Sequence, residues 1–173
     1  MSKLELVRGL YAYNDWANGQ VLDAASRLTE DEFARKQGAS FESVEGNLAH
    51  IVGAQIVWLQ RWTGGSNPKP VLEFQKMRGL PAIRDAFGRS HEALRAFIGS
   101  LTDERLDQVL AYRDSAGNAH ERVLWQLMAH VANHGTHHRA ETAMAMAALG
   151  KPMRELDYVF FEIERSQEQA AAK

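Results

Sequence analysis

Cysteine is absent from the 173 residues, so the chain offers no disulfide, no thiolate metal ligand and no thiol nucleophile of its own. An excess of one charge is lacking too. Twenty Lys and Arg stand against 22 Asp and Glu, a formal net charge of −2, and the cations are spread along the chain. The electrostatic footprint of nucleic-acid binding is therefore missing, and no nucleic-acid partner is expected. No apolar run approaches the roughly 20 residues of a membrane-spanning helix. The opening Met1-Ser2-Lys3-Leu4-Glu5 turns acidic and amphipathic too soon for a secretion signal. A cytoplasmic protein with no membrane partner is the expectation. What is present is a composition 45% hydrophobic and 24% charged, which suits one soluble domain over residues 1–173. It also holds seven histidines, four of which (His130, His134, His137, His138) fall within nine residues.

The apolar pattern is helical nearly throughout. Ser2 with Glu5 reads as a capping box, followed by Leu6, Leu10, Tyr13, Ala17, Val21 and Ala25 at helical spacing, so a first long helix should reach about Leu28. Thr29 with Glu32 is a second capping box, opening a short turn before a polar loop from Gly38 to Phe41. A second long helix begins near Ser43 and runs to about Thr63, where Gly64, Gly65, Ser66, Asn67 and Pro68 stop it. Pro81, at a first-turn position, opens a third helix ending near Leu101. Asp107–Tyr112 and Ala119–Val123 flank the turn cluster Asp114 to Asn118 and predict a short hairpin. A fourth long helix starts at about Glu121 or Arg122 and closes at Gly150 and Pro152. The fold class is all-α: an up-down-type four-helix bundle with a long crossover between the second and third helices. Glu155 to Ile163 adds one more short helix or strand, and the alanine-rich last residues should fray.

Residues four apart on a helix share a face, with Cβ atoms roughly 6 Å apart, so His134 and His138 can direct imidazole nitrogens at one ion. With seven histidines such a pair arises by chance in roughly a quarter of shuffled chains, so position has to supply the weight. The pair lies on the stripe of Leu127, Val131, Ala145 and Leu149, which faces the interior, where unpaired imidazoles are costly. Two stacked inward histidines compete for the same donors unless a shared cation organises them. His50, in the second long helix, is the candidate third ligand; the competing reading is a core histidine bonded to a backbone carbonyl. Three His ligands suit Zn²⁺ or Ni²⁺ and leave a position open for water or substrate, which is typical of chemistry rather than of a closed structural site.

The remaining histidines divide. His130 is a fourth ligand, a donor behind the ligands or a partly exposed surface residue, and His137 points sideways. His91 is either a satisfied core residue or part of the cavity wall, and His120 reads as a solvated loop residue. Glu141, three residues after His138, and Asn47, three before His50, are the groups placed to accept from the outer imidazole N–H, and Glu141 is also a candidate base. Trp16, Trp58, Trp62 and Trp125 either wall the pocket or pack as plain core.

The stretch His130-Val-Ala-Asn133-His134-Gly-Thr-His137-His138-Arg139, the early Tyr13-Asn14-Asp15-Trp16-Ala17-Asn18, and the Leu48-Ala49-His50 turn followed by Trp58 and Trp62 resemble the DinB/YfiT-like metalloenzymes. That family is unrelated to the DNA polymerase sharing the DinB name. The resemblance covers nearly the whole chain. It implies a four-helix bundle, commonly a homodimer, with a divalent metal held by residues matching His50, His134 and His138. It also implies kinship with transferases and isomerases that use bacillithiol, mycothiol or glutathione on small-molecule substrates, alongside members with no assigned reaction. Where the family often continues His-Arg-Gly-Gln, this chain has Ala140 and Glu141 after Arg139, placing a carboxylate where the family has an amide. Without a cysteine of its own, the chain would need its thiol as a cosubstrate. Metal-dependent hydrolysis, and a non-catalytic role in which the ion ties a dimeric bundle together, are the alternatives.

Overall fold

A computed structural model describes residues 2–38, 40–64 and 71–171. The chain is mostly helical, with one small sheet among the described residues. Helix α1 (Lys3–Ala25) starts at the expected capping box: Glu5 N donates to Ser2 Oγ at 3.1 Å and Ser2 N donates to the Glu5 carboxylate at 2.7 Å. The Thr29–Glu32 box likewise opens a real helix, the short α2 (Glu30–Ala34). Helix α3 (Val44–Trp62) is capped by Ser43, whose Oγ accepts from Gly46 N at 3.0 Å. Of the residues expected to stop it, Gly65 to Pro68 lie outside the described residues. The crossover that follows contains one turn, α4 (Val71–Phe74). Helix α5 (Leu80–Gly99) has proline in its first turn, as expected, and the single turn α6 (Asp103–Leu106) follows.

The hairpin forms from β1 (Val109–Arg113) and β2 (Ala119–Val123), paired antiparallel with Tyr112 opposite His120. Its length corrects two expectations. The fourth long helix, α7 (Leu124–Ala148), does not begin at Glu121 or Arg122, because β2 stays extended through Val123, whose ψ is 138°. His120 is no loop residue: it sits in β2 with Nε2 3.0 Å from Asp114 Oδ2. The C-terminal segment resolves as a helix, α8 (Tyr158–Ala171), longer at its end than the expected fraying implied.

The long helices pack in a closed order: α1 and α3 each contact both α5 and α7. Their apolar faces form two main clusters. One gathers Leu48, Ile51, Ile83, Phe87 and Met146, and the other Trp62, Leu94, Leu124 and Met128, all essentially without solvent exposure. Burial of side chains this size stabilises by roughly 1.5–3 kcal/mol each and holds the helix faces in register.

Between α1 and α7 the contact is polar. Arg139 is buried, and its Nη1 donates to Asn14 Oδ1 at 2.8 Å and Asn18 Oδ1 at 2.9 Å, while Nη2 donates to Thr136 Oγ1 at 3.0 Å. Its guanidinium lies 5.3 Å from the Tyr13 ring centroid. Gly135 makes room for it, since a Cβ there would stand 2.8 Å from Arg139 Nη1. The Asn14 and Asn18 of the early motif are therefore the clamp that seats α7 on α1. Replacing Arg139 with Met strands both amide oxygens in the core, which should lower the unfolding free energy by about 3 kcal/mol. Urea denaturation reads this directly; a midpoint unchanged from wild type would show that the clamp contributes little.

Candidate metal centre

Helices α3 and α7 bring His50, His134 and His138 together. Their ring centroids are 4.9 Å (His50 to His134), 4.6 Å (His50 to His138) and 4.5 Å (His134 to His138) apart. One nitrogen from each lies within 4.8 Å of the others. The shortest approach, His50 Nε2 to His134 Nε2, is 3.2 Å. Zinc–imidazole bonds of about 2.0–2.1 Å in a tetrahedral arrangement put ligand nitrogens about 3.3 Å apart. The closest pair already has that spacing, and the whole trio lies within 4.8 Å, close enough to gather around one divalent ion.

Electrostatics keeps these rings neutral, which is the form that ligates. Burial, then the neighbouring imidazoles of His138 and His134, push His50 down to about 3; burial and the surrounding histidines push His134 down to about 4. Burial also lowers His138, against the opposing pull of Glu141. His138 Nδ1 stands 2.9 Å from Glu141 Oε2, so the carboxylate accepts a hydrogen bond from Nδ1–H and leaves Nε2 as the nitrogen free to ligate. Glu141 in turn accepts from the Ser40 hydroxyl. Partial burial pushes Glu141 upward, but the bonds from Ser40 and His138 outweigh it and leave the group below its ordinary value.

The other expected participants are elsewhere. His130 is exposed and packs edge-on against Trp58 at 5.4 Å, outside the three-histidine group. His137 points outward, 3.5 Å from Glu141 Oε1. His91 is partly buried at the edge of the core, bonded to Asn18 Nδ2 at 3.1 Å and 3.6 Å from Asp15. Asn47 is buried, but neither its amide nitrogen nor its oxygen has a hydrogen-bond partner among the described residues, and His50 Nδ1 is likewise unpartnered. The expected Asn47–His50 bond is therefore not formed. Three of the four tryptophans are packed with other aromatics, Trp62 with Tyr11 and Phe97, Trp58 with Tyr112, and Trp16 with Tyr13 and Phe161, while Trp125 packs partly buried against the second apolar cluster.

What walls the centre is Phe41, which sequence reasoning placed only in a polar loop. Its ring stacks on His50 with centroids 3.8 Å apart and planes 18° from parallel, and it meets His138 edge-on at 5.2 Å. Gly46 permits this, because a Cβ there would come within 2.1 Å of the Phe41 carbonyl oxygen. Glu42, with φ at 64°, makes the turn that returns the chain to α3. The signal available in the sequence was one aromatic followed five residues later by a glycine, which carries no periodicity.

Comparison with known proteins agrees with this architecture. The model for the DinB family matches residues 1–170. Protein DinB of Bacillus subtilis (strain 168) is 23% identical over 167 residues, covering 93% of this chain and 96% of the relative. A crystal structure of a DinB-like protein from Bacillus cereus ATCC 10987 superposes with a TM-score of 0.56 at 17% identity, over 80% of this chain and 89% of that one, and shows a shared fold.

Proposed function

Because the chain belongs to the DinB family and joins three neutral histidines into one group able to hold a metal ion, we propose that it is a metal-dependent enzyme that transfers a low-molecular-weight thiol to an electrophile. The observation that carries this is the donor set. His50, His134 and His138 converge with no fourth protein ligand in their group among the described residues, and His130, the candidate for that place, is directed elsewhere. Three protein ligands leave a coordination position for an exogenous group. Zinc and nickel are the ions that three imidazoles suit best. When bound, such an ion supplies Lewis acidity, which favours thiolate over thiol at neutral pH.

The chain's own residues do the rest. His50, His134 and His138 hold the ion, Glu141 fixes the His138 tautomer by accepting from its Nδ1–H, and Phe41 keeps water off the outer face of His50. The thiol sulfur forms a bond to the electrophilic carbon, the leaving group departs with the bonding electron pair, and the thiol proton goes to solvent. As in its relatives by resemblance, the working unit is proposed to be a homodimer in the cytoplasm acting on a small molecule. Among the described residues no helix is long and apolar enough to cross a membrane.

Zinc-reloaded protein incubated with a panel of thiols and monochlorobimane should accelerate chloride displacement, and removal of the metal should abolish the acceleration. No metal-dependent rate with any thiol would remove the transferase reading.

A further inference from the structure

Beside the inner trio, helix α7 carries a second group of donors. His137, His138 and Glu141 each place one ligand atom within 4.8 Å of the others. Residues three and four apart on a helix are neighbours, so Glu141 reaches both imidazoles, one oxygen for each. Its Oε1 stands 3.5 Å from His137 Nε2 and its Oε2 2.9 Å from His138 Nδ1, on either side of the roughly 3.3 Å that a tetrahedral zinc site sets between donors. Two nitrogens and a carboxylate oxygen are a donor set for a divalent transition-metal ion.

The charge around Glu141 is unbalanced. Its side chain is only 19% exposed, yet no Lys or Arg pairs with it among the described residues; its partners are the two imidazoles and the Ser40 hydroxyl. A carboxylate so withdrawn from water favours a cation beside it, and an imidazole in its neutral, ligating form does not supply one. Glu141 is also the residue that stands where the His-Arg-Gly-Gln continuation would put an amide, which would bring no charge to the same place. Exposure falls along the group in one direction, from His137 at 65% through Glu141 to His138 at 7%. The three donors thus step from solvent to the buried edge of the inner trio, and His138 belongs to both groups.

We propose that His137, Glu141 and the Nδ1 edge of His138 form an outer site for a divalent transition-metal ion, the station through which the ion reaches His50, His134 and His138. An ion held here takes the place of the His138 Nδ1 proton, which passes to solvent and returns when the ion moves inward to the Nε2 side. Opposite edges of one ring serve the two sites, so the outer site is used in transit, holds its ion weakly and is emptied by dialysis. The inference goes beyond the thiol-transfer reading and does not depend on it.

Zinc is titrated calorimetrically into metal-free His134→Ala, in which the inner site is broken, and into the His134→Ala, His137→Ala double variant. The first should bind one ion weakly, and the second at least about tenfold more weakly still. Whatever His50 and His138 retain between them does not involve His137, so the difference isolates the outer site. His137→Ala alone should reach the same final inner occupancy, because His137 is exposed and outside the inner trio. It should nevertheless load cobalt about tenfold more slowly than wild type in stopped flow, read from the cobalt d–d bands, since the charged mouth no longer concentrates the ion. Equal zinc affinities of the two His134→Ala proteins, or no zinc binding by the first, would overturn the outer site. A tenfold difference between them with equal cobalt loading rates in His137→Ala and wild type would uphold the site and overturn its role as the entry station.

Discussion

His134→Ala is expected to lower zinc affinity by at least about 100-fold. Changes to groups that merely orient a ligand typically cost 10–100-fold, and His134 is a ligand candidate itself, with its Nε2 3.2 Å from that of His50. The remaining pair, His50 and His138, still straddles two helices but leaves two coordination positions to solvent, and a two-ligand site competes poorly with buffer and chelators. The fold should survive, because His134 is only partly buried and the clusters around it close through Leu127, Met128 and Met146. Competition against a chromophoric chelator measures the affinity, and far-UV circular dichroism verifies the fold. A variant that binds zinc as tightly as wild type would mean that the ion, if bound, sits elsewhere.

The second large effect is in the metal-free protein's response to pH. His50 and His134 are held down to about 3 and about 4 by burial and neighbouring imidazoles, and His91 to about 4 by burial, against an ordinary value near 6.5. Between those values the unfolded chain binds protons that the folded chain does not, so stability rises with pH across that window and falls as pH drops below about 6.5. Asp15 works the other way: burial raises it to about 6, so in the interval from there down to 3.8 the folded state holds a proton that the unfolded state lacks. Three histidines against one carboxylate leave the sign set by the histidines, so stability falls as pH drops from about 6 to 4.5. Urea unfolding of chelator-treated protein at pH 7 and pH 4.5 should show a large loss at the lower pH. Equal midpoints at the two values would show that these imidazoles are not held neutral.

Legibility in the sequence followed the range of the interaction. His134 and His138 share a helix, and helical spacing alone places them side by side. Their partner His50 was singled out only as the histidine of the second long helix, and the resemblance to a known family pointed to the same residue. The helices themselves were marked by caps whose chemistry is local: Ser2 with Glu5 and Thr29 with Glu32 form the reciprocal bonds their spacing predicts. Contacts that cross from a loop to a helix were not readable. Phe41 reaches His50 because Gly46 lets a backbone carbonyl approach and Glu42 turns the chain, neither of which is periodic.

Asn47 shows the opposite failure. Helical geometry puts it one turn before His50, yet proximity on a helix does not decide where an amide points, and it makes no bond to the imidazole. Arg139 lay in view beside His138 in the histidine-rich motif, but its role depends on two asparagines more than 100 residues earlier. No spacing rule connects them; only the packed fold does. The hairpin was placed nearly correctly by its turn residues, but β2 ran on to Val123 because strand pairing with β1 outweighs helix propensity at Glu121 and Arg122.

The central claim is that His50, His134 and His138 hold one divalent ion. Elemental analysis of protein produced without a histidine tag or a nickel column, reloaded with zinc and dialysed, tests it most directly when wild type and His134→Ala are measured side by side. One equivalent of metal in wild type and a small fraction of that in the variant is the predicted result; no stoichiometric metal in wild type, or the same content in both, would contradict it.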